Sequence, residues 1–162
     1  MHADSALSFP ILSILIFLPA AGALAVTPLP QRRPELIKMV ATLASAATAA
    51  MSIWLLVEFD RHDAGFQFVS QHTWIDRWGI GWNLGVDGIS LFLVVLSAVL
   101  FPLSIIALDP HSADPRQDKA YYAWLLILEA GVIGSFLSLD LFLFFVCFEI
   151  VLVPMYFLIG GW

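Results

Sequence analysis

The 162-residue chain is 60% hydrophobic and 12% charged, it contains 13 Phe and 6 Trp, and its mean hydropathy is +0.91. A soluble domain of this size cannot hide so much apolar surface, so the composition excludes a soluble fold and predicts an integral membrane protein. The formal charge of −6 is scattered without a run of like charges, which argues against a nucleic-acid partner, and a single cysteine excludes an internal disulfide.

Five apolar runs reach or approach the length of about 20 residues that a membrane-spanning helix needs. Asp87 and Asp140 precede two of these runs and are suited to cap the helices that follow. Ala41, Ser45 and Ala49 repeat at a spacing that lets helices pack closely. The sequence therefore predicts an all-α membrane protein with one domain over residues 1–162 and helices near residues 9–27, 37–59, 87–107, 120–139 and 140–160.

The connections predict how the chain is oriented. The links after the first and third helices hold five Lys and Arg residues, and the link after the second helix holds only Arg61 and Arg77. Because short cytoplasmic links are enriched in Lys and Arg, we expect the N-terminus outside and the C-terminal end in the cytoplasm. The five basic residues are Arg32, Arg33, Lys38, Arg116 and Lys119.

Two of the connections have a distinctive composition. Residues 59–86 form an outer loop that is amphipathic and rich in Trp, so we expect it to lie along the membrane surface. His62 and His72 in this loop lack the spacing of a zinc site and are read as solvated histidines. The stretch from Asp109 to Lys119 has the Pro and Asp content of a turn-rich linker.

Two carboxylates lie at membrane depth, where an ionisable side chain costs at least about 2.5–3.5 kcal/mol and usually marks an ion or proton route. Glu129 and Glu149 each stand about 14–15 Å along a helix from the short turn that joins the last two helices. If they met across this hairpin they could share a proton, as a relay requires. The alternative for each is a purely structural role: Glu149 as a neutral or ion-paired acid, and Glu129 as a side chain turned toward a small-residue interface.

The residues also carry a resemblance to a known family. Three segments resemble the N-terminal part of chain M, or subunit 4, of the proton-translocating NADH-quinone oxidoreductases of respiratory complex I: WGIGWNLGVDGISLFLVVL (Trp78 to Leu96), LEAGVIGSFLSLDLFLFF (Leu128 to Phe145) and FEIVLVPMYFLIGGW (Phe148 to Trp162). By this resemblance Glu149 matches the glutamate of the fifth transmembrane helix, which is held to take part in proton translocation.

The resemblance implies a subunit of NADH:quinone oxidoreductase that couples electron transfer in other subunits to proton movement, with Glu149 as a proton-handling residue. Glu129 is the weaker candidate for this role, on the basis of its depth in the membrane. It implies no cofactor or metal in this chain, since NADH, FMN, iron–sulfur clusters and quinone belong to other subunits. The expected partners are the lipid bilayer and other membrane subunits of complex I, and the expected place is the bacterial inner (cell) membrane.

The chain also departs from the family pattern. Family members have about fourteen transmembrane helices, and the lysines that partner the glutamate lie on later helices, whereas Lys38 and Lys119 here lie in links. The chain therefore resembles a truncated or split product, whose missing helices a second polypeptide would supply. Two alternatives stay open: a subunit of a cation/proton antiporter or membrane-bound hydrogenase, and a non-transporting remnant or assembly partner.

Overall fold

The computed structural model describes residues 10–62, 65–75, 77, 79–107 and 115–161. Within them the chain forms five helices and a two-stranded sheet, so the predicted all-α membrane architecture is confirmed, with a small hairpin added. The predicted start at residue 9 and the linker residues 108–114 lie outside this description. The elements are α1 (Ile11–Val26), α2 (Pro34–Glu58), β1 (Gln67–Ile75), β2 (Ile80–Val86), α3 (Gly88–Ala107), α4 (Pro115–Leu137) and α5 (Leu141–Gly161).

The helices differ in how readily they could span a bilayer. Among the described residues, α2, α3, α4 and α5 are long and apolar enough to do so. The first helix, α1, has 16 residues, and at a rise of 1.5 Å per residue it extends about 24 Å, less than the roughly 30 Å of the hydrocarbon core. Four helices thus meet the length expected of a span, and α1 is a shorter apolar helix beside them.

The ends of the helices follow from local chemistry. Asp87 Oδ1 accepts a 2.7 Å hydrogen bond from the Ser90 N–H, and Asp140 Oδ1 accepts one of 2.8 Å from the Phe142 N–H, so both predicted caps are confirmed. The fourth helix begins at Pro115, five residues before the predicted start at residue 120. Lys119 therefore lies in α4, and Lys38 lies near the start of α2, so the expectation that both lysines lie in links was wrong. The first turn of α4 is polar, so an apolar run does not reveal it, although proline is favoured at the first helical position.

The predicted outer loop is in part a β-hairpin, which the sequence reading missed. Strands β1 and β2 pair antiparallel, and Gly79 in the turn between them has φ +65°, a left-handed conformation that glycine adopts without strain. The hairpin is hydrogen-bonded to the rest of the bundle. The Leu139 N–H donates to the Asn83 carbonyl, and Trp82 Nε1 donates to Ser13 Oγ, each at 2.9 Å. Contact with α1 and the α4–α5 link therefore gives this segment its fixed structure.

The core of the bundle is organised around α4, which packs against all four other helices. The buried apolar side chains form two clusters. The first lies toward the hairpin and includes Ala49 and Ile133, and the second includes Ala41 and Leu126. The level between the two clusters, around residue 45 of α2 and residue 129 of α4, is where a polar group lies.

Candidate functional site

Glu129 lies at that level, in the interior of the bundle. Its side chain is 0% exposed, and neither carboxyl oxygen has a hydrogen-bond partner among the described residues. Leucine and alanine flank it in sequence, and the second half of α4 is buried by its neighbours on both sides. A carboxyl group in this position is removed from water, so its charged form is strongly disfavoured unless a partner or a bound proton compensates.

The side chain that interacts with Glu129 is Ser45 on α2. Ser45 is also 0% exposed, and its hydroxyl interacts with the Glu129 carboxyl group. The pair does not meet the geometry of a hydrogen bond, and Ser45 Oγ has no other partner among the described residues. Three polar atoms therefore face one another at the α2–α4 interface with their hydrogen-bonding capacity unused.

Two further hydroxyls continue from Ser45 along α2. Thr48 and Ser52 are each 0% exposed, and they donate to the carbonyls of Ala44 and Ala49 at 3.0 and 2.7 Å. Each hydroxyl oxygen keeps acceptor capacity after this donation. The spacing of three and then four residues places the three hydroxyls on one face of α2, over about 10 Å. We call Ser45, Thr48 and Ser52 the α2 hydroxyl row.

Glu149 has the opposite environment. It lies on the exposed face of α5, between the exposed residues Phe148 and Ile150. Only Leu143, Cys147 and Pro154 of α5 are buried against the bundle. In a bilayer this places a carboxyl group on a surface made mostly of large apolar side chains.

The structure does not bring Glu129 and Glu149 together. The face of α4 that meets α5 contains Gly131 and Gly134, where an added Cβ would come within 2.9 Å of Val151 and 2.8 Å of Cys147 Sγ. Glu129 precedes Gly131 by two residues and so points about 200° away around the helix. Glu149 is likewise about 200° from Cys147, so the two acids lie on opposite sides of the α4–α5 contact.

The other residues singled out from the sequence have local roles. Cys147, the single cysteine, is buried against Gly134, and Asp140 caps α5. His62 and His72 are exposed. Among the described residues no group of three or more His, Cys, Asp or Glu side chains gathers in a way that could hold a metal ion.

The sequence reading missed the buried hydroxyl row on α2. It identified Ser45 only as a small residue, although the repeat of Ser and Thr at residues 45, 48 and 52 on one helix face was available as a signal. The sequence did not reveal the partner of this row, because the spacing within α2 does not show that this face meets Glu129 of α4.

Comparisons with known proteins agree on one family. Residues 36–135 match the model of the amino terminus of NADH-ubiquinone oxidoreductase chain 4. The chain is 40% identical to NADH-quinone oxidoreductase subunit M of Mycobacterium tuberculosis and 37% identical to that of Rickettsia typhi, with 94% and 96% of this chain aligned. It is 40% identical to NADH-ubiquinone oxidoreductase chain 4 of Arabidopsis thaliana, over 93% of its length.

Nearly all of this chain aligns with these relatives, but it matches only part of each of them. The chain spans about a third of their length, 32% of the two bacterial relatives and 30% of the plant one. A solved archaeal respiratory membrane complex, the membrane-bound sulfane sulfur reductase, contains a chain of similar fold, with a TM-score of 0.70 over 94% of this chain and 23% of that one. The sequence identity there is 18%, so this likeness concerns the fold alone.

Proposed function

Because the chain belongs to the NADH-ubiquinone oxidoreductase chain 4 family, whose bacterial members are named subunit M, we propose that it is a proton-translocating membrane subunit of an NADH-quinone oxidoreductase. In this role it does not carry out redox chemistry itself. Electron transfer from NADH to quinone takes place in other subunits, and this chain contributes carboxyl groups to the proton route.

The exposed position of Glu149 is the observation that carries this proposal. A carboxyl group on the outer face of a membrane helix costs free energy if it faces lipid, and acids at this depth generally face a partner or a water-filled path. The apolar residues around it make α5 suited to pack against further helices. This chain spans about a third of the relatives' length, so we expect the helices that cover α5 to come from the part of the relatives that it does not span.

The proposed function also implies a location and an orientation for the chain. The site of action is the bacterial inner membrane, with the hairpin outside and the links after α1 and α3 in the cytoplasm. Lys38 Nζ donates to the Ile106 carbonyl at the end of α3, and Lys119 Nζ donates to the Leu29 carbonyl after α1. Basic groups thus gather at this end of the bundle, which supports the cytoplasmic assignment. The partners are other membrane subunits of the oxidoreductase.

Replacing Glu149 with glutamine tests the proposal. Glu149→Gln keeps the size of the side chain and removes the titratable proton, so NADH-driven proton uptake by membrane vesicles, followed with a pH-sensitive dye, should fall at least about tenfold, which corresponds to roughly 1.4 kcal/mol or more on the limiting step. Electron transfer from NADH to an artificial acceptor should be unchanged, since it does not use this chain.

Glu58→Gln is the matched control, because Glu58 is an exposed glutamate at the end of α2. Proton uptake in this variant should equal that of the unmodified chain. Undiminished proton uptake by the Glu149→Gln variant would remove Glu149 from the route.

A further inference from the structure

The buried face of the bundle contains a second protonatable group that the proposal for α5 does not use. Glu129 and Ser45 lie on the side of α4 remote from α5, at the level that separates the two apolar clusters of the core. We propose that Glu129 and Ser45 form an internal proton-binding pair, which exchanges its proton with the hairpin side of the membrane along the α2 hydroxyl row. This inference deepens the proposed function and rests on it for its biological role.

The helices around Glu129 provide no positive charge beside its carboxyl group. Of the helices packed around Glu129, α1 and α3 contain no charged residue, α2 has Glu35, Lys38 and Glu58 near its ends, and the charged residue of α5 is the outward-facing Glu149. An ionised carboxylate there would have no counter-charge, and burying one without a partner costs far more than burying a neutral acid. The group that binds at Glu129 is therefore a proton.

The Glu129 carboxyl group and the Ser45 hydroxyl are complementary in hydrogen bonding. A neutral carboxyl group has one O–H donor, and a serine hydroxyl can accept this hydrogen and donate its own. Each buried polar group left without a partner costs about 1–3 kcal/mol. Glu129 and Ser45 together have the complementary donors and acceptors that remove this cost.

The α2 hydroxyl row provides the path by which a proton reaches Glu129. From Ser45 the hydroxyl row leads through Thr48 to Ser52, in the direction of the hairpin, since β1 follows the end of α2 along the chain. The Thr48 and Ser52 hydroxyls already donate to backbone carbonyls, so they can accept hydrogen bonds from water. A proton that leaves Glu129 passes to such a water, and the carboxylate regains a proton by the reverse transfer.

Infrared spectroscopy of the full chain reconstituted in lipid tests the pair. A protonated carboxyl group gives a C=O stretching band that moves when its hydrogen bond changes or its proton is exchanged for deuterium. At neutral pH this band should be lost in Glu129→Gln and kept in Glu149→Gln. It should rise in frequency in Ser45→Ala, because a hydrogen bond to the acid is removed.

Ser104→Ala is the matched control, since Ser104 is a serine on α3 whose hydroxyl donates to the Leu100 carbonyl of its own helix. It should leave the band in place. A spectrum in which Glu129→Gln removes no protonated-acid band, or in which Ser45→Ala leaves the band unmoved, would overturn the pair.

Deuterium exchange tests the route separately. When H₂O is replaced by D₂O, the shift of the Glu129 band should be slowed at least about tenfold by Thr48→Val or Ser52→Ala, and not by Ser104→Ala. Equal exchange rates in all variants would exclude the row as the path. None of these readouts depends on pumping, so a negative result with Glu149→Gln and a negative result here are distinguishable.

Discussion

At the scale of single residues, the position of a carboxylate along its helix separates its possible roles. Asp87 and Asp140 stand just before helices, where free N–H groups of the first turn stabilise an acidic oxygen. Glu129 stands in the middle of α4, where the backbone amides are already used within the helix. The same functional group is thus a cap at a helix end and a protonatable site in a helix centre.

Asp87 provides a pH-dependent prediction. The Ser90 N–H donates to its carboxylate, and together with the nearby Ser90 side chain it lowers the pKa of Asp87 below the ordinary value of 3.8. A group with a lowered pKa in the folded state stabilises the protein fully above its unfolded pKa and loses this contribution as the pH falls through the folded value. Asp87→Asn keeps the cap without a titrating group. Unfolding in detergent, followed by circular dichroism, should show an advantage of the unmodified chain near neutral pH that disappears below pH 3.8.

Asp87→Ala removes the cap itself and should lower the unfolding free energy by about 0.5–2 kcal/mol at neutral pH. A difference between the unmodified chain and Asp87→Asn that grew as the pH fell would contradict the assigned direction of the shift.

At the scale of elements, small residues decide how closely the helices approach. A Cβ on Gly22 of α1 would lie 2.4 Å from the Ala44 Cβ of α2, so these two helices are in backbone-level contact. Gly131 and Gly134 have the same function between α4 and α5. Because lipid is as apolar as the helix surfaces, such close packing is a principal source of association between membrane helices.

Gly22→Ala tests this contact. Alanine gains about 0.5–1 kcal/mol over glycine inside a helix, but overpacking a tight interface costs about 1–3 kcal/mol. Because the blocking atom is a methyl group fixed to the backbone, the cost should exceed the gain, and thermal unfolding in detergent should begin at lower temperature.

Two variants complete the test of the α1–α2 contact. Adding Ala44→Gly to Gly22→Ala should restore part of the lost stability, because it removes the opposing methyl group. Gly160→Ala is the control: a Cβ there meets nothing within 4 Å, so its stability should be unchanged or slightly raised. A Gly22→Ala variant as stable as the Gly160→Ala variant would show that α1 and α2 do not touch at this point.

At the scale of the whole molecule, α5 is the least buried of the four long apolar helices. We call the exposed side of α5 around Glu149 the open face. The helices α1 to α4 and the hairpin enclose two apolar clusters, whereas α5 buries only three residues and presents Glu149 outward. An outward carboxylate on an apolar face is costly if it faces lipid, so we expect an occupant, such as another helix or subunit, to cover this face. The relatives are about three times as long as this chain.

Native purification identifies that occupant. If the proposed function holds, the tagged chain, solubilised mildly from its own membranes, should retain other membrane subunits of an NADH-quinone oxidoreductase, as detected by mass spectrometry. Bulky charged substitution on the open face, such as Leu152→Arg, should release them, since Leu152 is 44% exposed there. Leu24→Arg, on an exposed residue of α1, is the control. Recovery of the chain alone would favour a non-transporting role.

The sequence by itself determined the features that depend on neighbours along the chain. Runs of apolar residues located the helices, because each helix satisfies its own backbone hydrogen bonds, and Asp87 and Asp140 marked two starts through contacts three residues away or fewer. The family resemblance rested on the same local strings and was confirmed.

The tertiary structure decided what depends on contacts between distant segments. The hairpin could not be read from its amphipathic sequence alone, because its order comes from contacts with α1 and the α4–α5 link. Nor could spacing say which way Glu129 and Glu149 face, since helical rotation is set by close packing at positions such as Gly131 and Gly134. That packing turns Glu129 toward Ser45 in the interior and leaves Glu149 on the surface. Their equal distances from the turn between α4 and α5 had allowed the two acids to meet, but helical rotation keeps them apart.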